Sequence, residues 1–239
     1  MEFWQWMAVA LAIGGIAYLY AAVGHAGASG YIAVLTLAAG DPQVIKPTAL
    51  VLNLIVASLG VWQFLRQGHF CWALFWPLAL GAVPLAFFGG YLNLPATAFQ
   101  LLIGLVLWGS ALRLLWVAKT DVAVGPPPWY VGLPTGAGLG FLAGLTGTGG
   151  GVFLTPLVLW LRWATTKQTA GVSALFILLN SAAGLVGNFS STQDFPTLAL
   201  GLAVTATVGG FLGAVCGSQQ FSAVVIKRLL AIVLLIAGG

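Results

Sequence analysis

Apolar residues in this chain neither alternate nor form one-sided stripes. They come in unbroken runs, separated by short clusters of charge, proline and glycine. A bilayer core about 30 Å thick needs roughly 20 helical residues to cross it. The runs Phe3–Val23, Thr48–Leu65, Phe70–Leu92, Thr97–Leu112 with its flanks, Trp129–Leu145, Thr169–Phe189, Phe195–Gly217 and Ala223–Gly238 meet or approach that length. Two further runs, Tyr31–Ala39 and Val152–Leu161, are too short. Each follows a glycine-rich break, GHAGASG from Gly24 to Gly30 and TGTGGG from Thr146 to Gly151. Membrane β-strands would alternate polar and apolar over about ten residues. Runs that are apolar all round predict buried or lipid-facing helices instead.

The polar-leaning stretch KTDVAVGPPPW, Lys119 to Trp129, falls near the middle of the chain, and its three prolines cannot continue a helix. It divides the sequence into a first repeat, residues 1–119, a linker, 120–128, and a second repeat, 129–239. Each half has a long run, a glycine break, a short run, a Lys-x-Thr-Ala opening another long run, and two more spans. Lys46-Pro47-Thr48-Ala49 matches Lys167-Gln168-Thr169-Ala170, Gly24 matches Gly147, and Gly81 and Gly89 match Gly209 and Gly217. The positive-inside rule puts the loops carrying Arg113 and Lys119, Arg162 and Lys167, and Lys227 and Arg228 on the cytoplasmic side. Arg66 agrees with this scheme and Lys46 dissents. A glycine-broken hairpin plus three crossings is an odd number, so the second half should be inverted relative to the first. The expected fold is an all-α polytopic membrane protein. It has two inverted repeats of about five helical segments, each beginning with a glycine-broken helical hairpin.

Composition agrees. Of 239 residues, 60% are hydrophobic and 5% charged, and mean hydropathy is +1.05. So few charges cannot cover a water-soluble globule, which excludes soluble enzymes and nucleic-acid binders. The net charge of +4 reads as loop anchoring. Met1-Glu2 opens without a basic leader, so the first run reads as a retained span. Cys71 and Cys216 lie singly in apolar runs, with no pairing framework or metal spacing. No cofactor or metal is expected.

Inverted repeats with broken helices are a transporter architecture, with the substrate near the midplane where the breaks meet. Irregular backbone at that depth survives only under cover of protein or water. Glycines let backbone N–H groups turn toward a ligand, and a helix starting there adds the positive end of its dipole, which together suit an anion. The substrate-binding candidates are Gly24, His25, Gly27, Ser29 and Gly30 in the first break, and Thr146, Thr148, Gly149, Gly150 and Gly151 in the second. Asn53, Ser173 and Asn180 join them from the long helices, where polar groups should face the interior. Ser173 and Asn180, seven apart, share a helix face. His25 is the one ionisable group in either break. With an ordinary pKa of about 6.5 it could donate to an anion or carry a coupled proton. Lys46 and Lys167 are vestibule charges that would attract anions from opposite mouths, or anchors at the headgroups. Other glycine pairs read as close helix packing. No Asp or Glu lies mid-span, which argues against a cation held by carboxylates. No catalytic constellation is present, so an enzyme is not expected.

At the glycine breaks and Lys-x-Thr-Ala helices the chain resembles the TauE/SafE family of sulfite and organosulfur anion permeases. The likeness is carried by GFLAGLTGTGGGVFLTPLVLWL and TAGVSALFILLNSAAGLVGNF, and by AAVGHAGASGYIAVLTLAAG and KPTALVLNLIVASLG. It implies transport of a small sulfur-containing oxyanion such as sulfite, thiosulfate or a sulfonate, by a multi-pass protein of the bacterial inner membrane. His25 and Ala28 depart from the commoner GxGGG form. The expected mode is alternating access, with protons as a candidate coupling ion. Two alternatives stay open, a channel-like anion pore and a non-transporting membrane scaffold. Added bulk at Gly149 or Gly150 would unfold a scaffold, and would leave a transporter folded but without ligand stabilisation. Direction of transport and oligomeric state are not readable.

Overall fold

The computed structural model describes residues 3–38, 42–92, 108, 121–192 and 197–238. The predicted span Thr97–Leu112, together with Arg113, Lys119 and Asp194, lies outside that description apart from Trp108. The described residues are helical, without strands: α1 (Phe3–Ala22), α2 (Ala28–Ala38), α3 (Pro42–Arg66), α4 (Trp72–Tyr91), α5 (Trp129–Thr146), α6 (Gly151–Leu161), α7 (Thr166–Thr192), α8 (Thr197–Val215), a π-turn (Cys216–Gln220) and α9 (Ala223–Gly238). Five are long and apolar enough to cross a membrane, over Trp4–Ala22, Val44–Arg66, Trp72–Tyr91, Thr166–Asn188 and Ala199–Gln220. This is an all-α polytopic membrane protein. Its outer surface is apolar, with exposed Leu11, Leu80 and Val204, and exposed Trp4, Trp72, Trp129 and Trp160 at or near helix ends. That is where amphipathic aromatic rings anchor to an interface.

Two helices start earlier than the apolar pattern suggests. α3 begins at Pro42 and carries Pro47 within it, and α7 begins at Thr166. Both matching lysines therefore lie on helices. The start of α7 is capped from a distance, since Asp121 accepts hydrogen bonds from the Thr166 N–H (2.9 Å) and hydroxyl. Asp121 also pairs with buried Lys227 of α9 at 3.5 Å. The linker thus holds two helices together.

Close packing rests on glycine. α5 places Gly136, Gly140 and Gly144 one turn apart, and a Cβ on each would lie 2.1 Å from the carbonyls of Leu78, Ala82 and Ala86 of α4. On α8, Gly209 and Gly213 meet the carbonyls of Gly14 and Tyr18 of α1, and beyond it Gly217 meets that of Ala22. The sequence numbers rise together in both seams, so each pair runs parallel. α3 and α7 run antiparallel: Leu50 lies by Gly184, Asn53 by Ser181, Gly60 by Ala174 and Phe64 by Gly171.

Candidate functional site

The two breaks owe their shape to left-handed backbone. Gly24 (φ 78°) and Gly27 (φ 101°) turn the chain between α1 and α2, while Gly147 (φ 71°), Gly149 (φ 73°) and Gly150 (φ 81°) turn it between α5 and α6. A side chain resists this conformation. Gly147 closes α5, its N–H bonding the Ala143 carbonyl at 2.9 Å. Gly150 precedes α6 without any side-chain cap. The Phe153 and Leu154 amides bond the Gly150 carbonyl at 3.1 and 3.0 Å, so the bare amides at the opening of α6 are those of Gly151 and Val152, which have no partner among the described hydrogen bonds.

The breaks meet. His25, 4% exposed, reaches out of the first break to Thr155 on α6, Nε2 to Oγ1 at 2.7 Å, and Thr155 Oγ1 lies 2.6 Å from Ser173 Oγ on α7. The His25 ring also lies 3.4 Å from where a Gly151 Cβ would stand. Also from the first half, Asn53 on α3 donates through Nδ2 to the Thr148 carbonyl (3.3 Å) and Ser181 Oγ (3.2 Å). Gly149 must be glycine here, because a Cβ would sit 2.6 Å from Ser181 Oγ and 2.9 Å from Asn53 Nδ2. Asn180 donates to the Phe176 carbonyl at 2.8 Å, and the Phe176 ring packs on Gly150.

Several buried polar atoms at this junction lack a hydrogen-bond partner: His25 Nδ1, Tyr31 Oη, Asn53 Oδ1, Asn180 Oδ1 and, nearby on α3, Thr48 Oγ1. A buried polar group without a partner costs about 1–3 kcal/mol. The Tyr31 hydroxyl belongs to the first break, lying 2.9 Å from the position of a Gly27 Cβ.

Other candidates are committed elsewhere. Ser29 bonds Tyr20 on α1 at 2.9 Å. Thr146 gives its proton to the Leu142 carbonyl (2.8 Å), so the Thr148 hydroxyl, 2.8 Å away, donates to Thr146. Gly24 packs on Ala170 and Gly30 on Ile16. Lys46 and Lys167 sit at opposite ends of the α3–α7 pair. Lys46 donates to the Gly90 carbonyl (3.5 Å) and lays its stem on Gly147, while Lys167 donates to the Ser218 carbonyl (3.0 Å). Each cation satisfies a carbonyl at a helix C-terminus, a favourable placement. Among the described residues no group of His, Cys, Asp or Glu could hold a metal ion.

Sequence reasoning missed Thr155, Tyr31 and the contact of Ser181 with Asn53. Thr155 had a usable signal, being the one polar side chain in GVFLTPLVLWL. Tyr31 had none, since its hydroxyl was hidden in an apolar run.

Residues 7–239 match the family described as Sulfite exporter TauE/SafE. The chain belongs to the TauE/SafE family. It is also 40% identical over 235 residues, covering 96% of this chain and 95% of the relative, to a protein of Sinorhizobium fredii (strain NBRC 101917 / NGR234) described as "Probable membrane transporter protein y4hK". No solved structure matches. The TauE/SafE membership makes this a protein of a membrane transporter family.

Proposed function

We propose that this TauE/SafE member is a permease for a small sulfur-containing oxyanion, such as sulfite, thiosulfate or a sulfonate, held between the two glycine breaks and exposed alternately to either side of the bacterial inner membrane. The observation that carries this reading is the junction itself: His25 of one break bonded to the helix that starts at the other, amid buried polar atoms without partners. The donors available are the opening amides of α2 and α6, the Tyr31 hydroxyl and His25. Together with two helix dipoles they favour negative charge.

Two inverted halves, 1–119 and 129–239 around the linker 120–128, would supply the moving parts. In support, the matching helices α3 and α7 run antiparallel. Gly81 and Gly209 each meet a carbonyl of the other half's first helix, as do Gly89 and Gly217. Lys46 reaches Gly90 while Lys167 reaches Ser218, and both pairs keep their places in the repeat. Such exchange of partners lets one unit rock against the other around a fixed site. Proton linkage would run through His25.

Flux of labelled sulfite into proteoliposomes tests the reading. A permease gives saturable uptake and exchange driven by internal anion. Flux rising linearly with concentration would favour a pore, and no flux with any of these anions would leave a scaffold. His25→Ala should alter the pH dependence of transport, and an unchanged profile removes His25 from coupling.

A further inference from the structure

The unpartnered atoms at the junction are of two kinds, and their mixture restricts the cargo. Asn53 and Asn180 have their amide orientation fixed, because each Nδ2 faces a backbone carbonyl, which can only accept. The groups left over are therefore both carbonyl oxygens, on side chains that are 0% and 1% exposed. An oxyanion without hydrogens offers them nothing but repulsion.

The donor side follows from the hydroxyl chain. Among the described contacts, Ser173 has one hydrogen-bond neighbour, Thr155. If Ser173 donates to Thr155 and Thr155 to His25 Nε2, both hydroxyl protons are used and only the Nδ1–H of a neutral imidazole is stranded. The opposite direction strands the Ser173 proton and the Nδ1 lone pair together. The first leaves fewer buried groups unsatisfied. The stranded donors are then His25 Nδ1–H and the Tyr31 hydroxyl, joined by opening backbone N–H groups of the breaks, and the stranded acceptors are the two amide oxygens. No lysine bonds directly to either break among the described hydrogen bonds; Lys46 and Lys167 spend theirs on Gly90 and Ser218. Lys46 comes nearest, its stem on Gly147, so among the described residues a bare dianion would meet a single adjacent cation, an expensive burial.

Building on the anion reading above, we propose that the site selects a monoanion carrying its own O–H or N–H. Its oxygens would face the break amides and His25, and its hydrogen the carbonyl oxygens of Asn53 and Asn180. Sulfite would be taken as hydrogensulfite, and amino- or hydroxy-substituted sulfonates preferred to plain ones. Sulfamate and methanesulfonate provide the test, being alike in charge and tetrahedral shape and differing by NH₂ against CH₃. Thermal stabilisation of the purified full chain is titrated with each. Sulfamate should reach half-effect at a concentration at least about tenfold lower, since a site built around a hydrogen-bonding group rejects the analogue lacking it. Asn53→Leu should erase the preference, and Asn180→Leu serves where that variant does not fold. Equal titrations in the unaltered protein, or a preference for methanesulfonate, overturn the proposal and leave the anion permease standing. If neither anion acts and sulfite does not move in proteoliposomes, the permease reading itself falls and takes this one with it.

Discussion

At the residue scale, a glycine in this chain does one of three things, and only the structure separates them. Gly149 combines a φ of 73° with contacts that leave no room for a methyl group. Gly136 and Gly209 are helical but pressed against a backbone carbonyl, while Gly15 has nothing within 4 Å. Opposite outcomes follow for one chemical change. Gly149→Ala should lower stability by about 1–3 kcal/mol through backbone strain and the clash with Ser181. Gly15→Ala should raise it by about 0.5–1 kcal/mol through helix propensity. Thermal midpoints of the two variants check this, and a Gly149→Ala protein as stable as the parent would contradict the local geometry. The expectation that bulk at Gly149 or Gly150 separates a scaffold from a transporter is corrected by the same facts, because folding suffers under either. The sequence made the breaks visible as glycine clusters. Position alone could not show that Thr155 faces His25 from 130 residues away, since nothing local encodes a partner on another helix.

At the element scale, runs of apolar residues marked helices well, and helix ends poorly. Pro47 looks like a barrier to a helix that in fact starts five residues earlier, at Pro42, and a proline near a helix start interrupts few bonds. The π-turn after α8 was equally invisible, being formed by ordinary residues, CGSQQ. It matters because three elements meet there. Lys167 donates to the Ser218 carbonyl, and His69, in the α3–α4 turn, also hydrogen-bonds the Ser218 backbone. Burial, and then the Lys167 cation, hold the His69 imidazole below its ordinary value, while the bond to Ser218 works in the opposite sense. In the window between the ordinary histidine value and the lower folded one, the unfolded chain binds a proton that the folded chain refuses. Stability from this group is therefore present above that window and is lost as pH falls through it. His69→Gln should lose less thermal stability than the parent between about pH 7.5 and about pH 5.5. Identical losses in the two proteins would show that His69 does not feel this junction.

At the scale of the whole molecule, charge and topology argue for one orientation. The antiparallel α3–α7 pair brings the end of α3, with Arg66 and the His69 turn, beside the start of α7, with Arg162 and Lys167. Lys167 ties the π-turn to that end, and Asp121 ties the linker and Lys227 there as well. Five described cations, Arg66, Arg162, Lys167, Lys227 and Arg228, thus gather at one end, against Lys46 at the other. An excess of Lys and Arg marks the cytoplasmic side. That asymmetry was readable from loop charges, but the place of Lys46 was not. It looked like a dissenting loop residue, and the structure makes it a helix residue whose ammonium meets the Gly90 carbonyl at the far end of α4. Lys167 is a helix residue held in the same way, and with both lysines set aside Arg66, Arg162, Lys227 and Arg228 still gather at one end, so the dissent loses its force. With Cys71 and Cys216 replaced by alanine, single cysteines at Gln67, Trp163 and Ser222 should react with a membrane-impermeant maleimide in inside-out vesicles and not in intact cells, while one at Leu92 should show the reverse. Gln67 and Trp163 labelled from opposite sides would break the antiparallel pairing, and with it the convergence of the two glycine breaks on which an anion site depends.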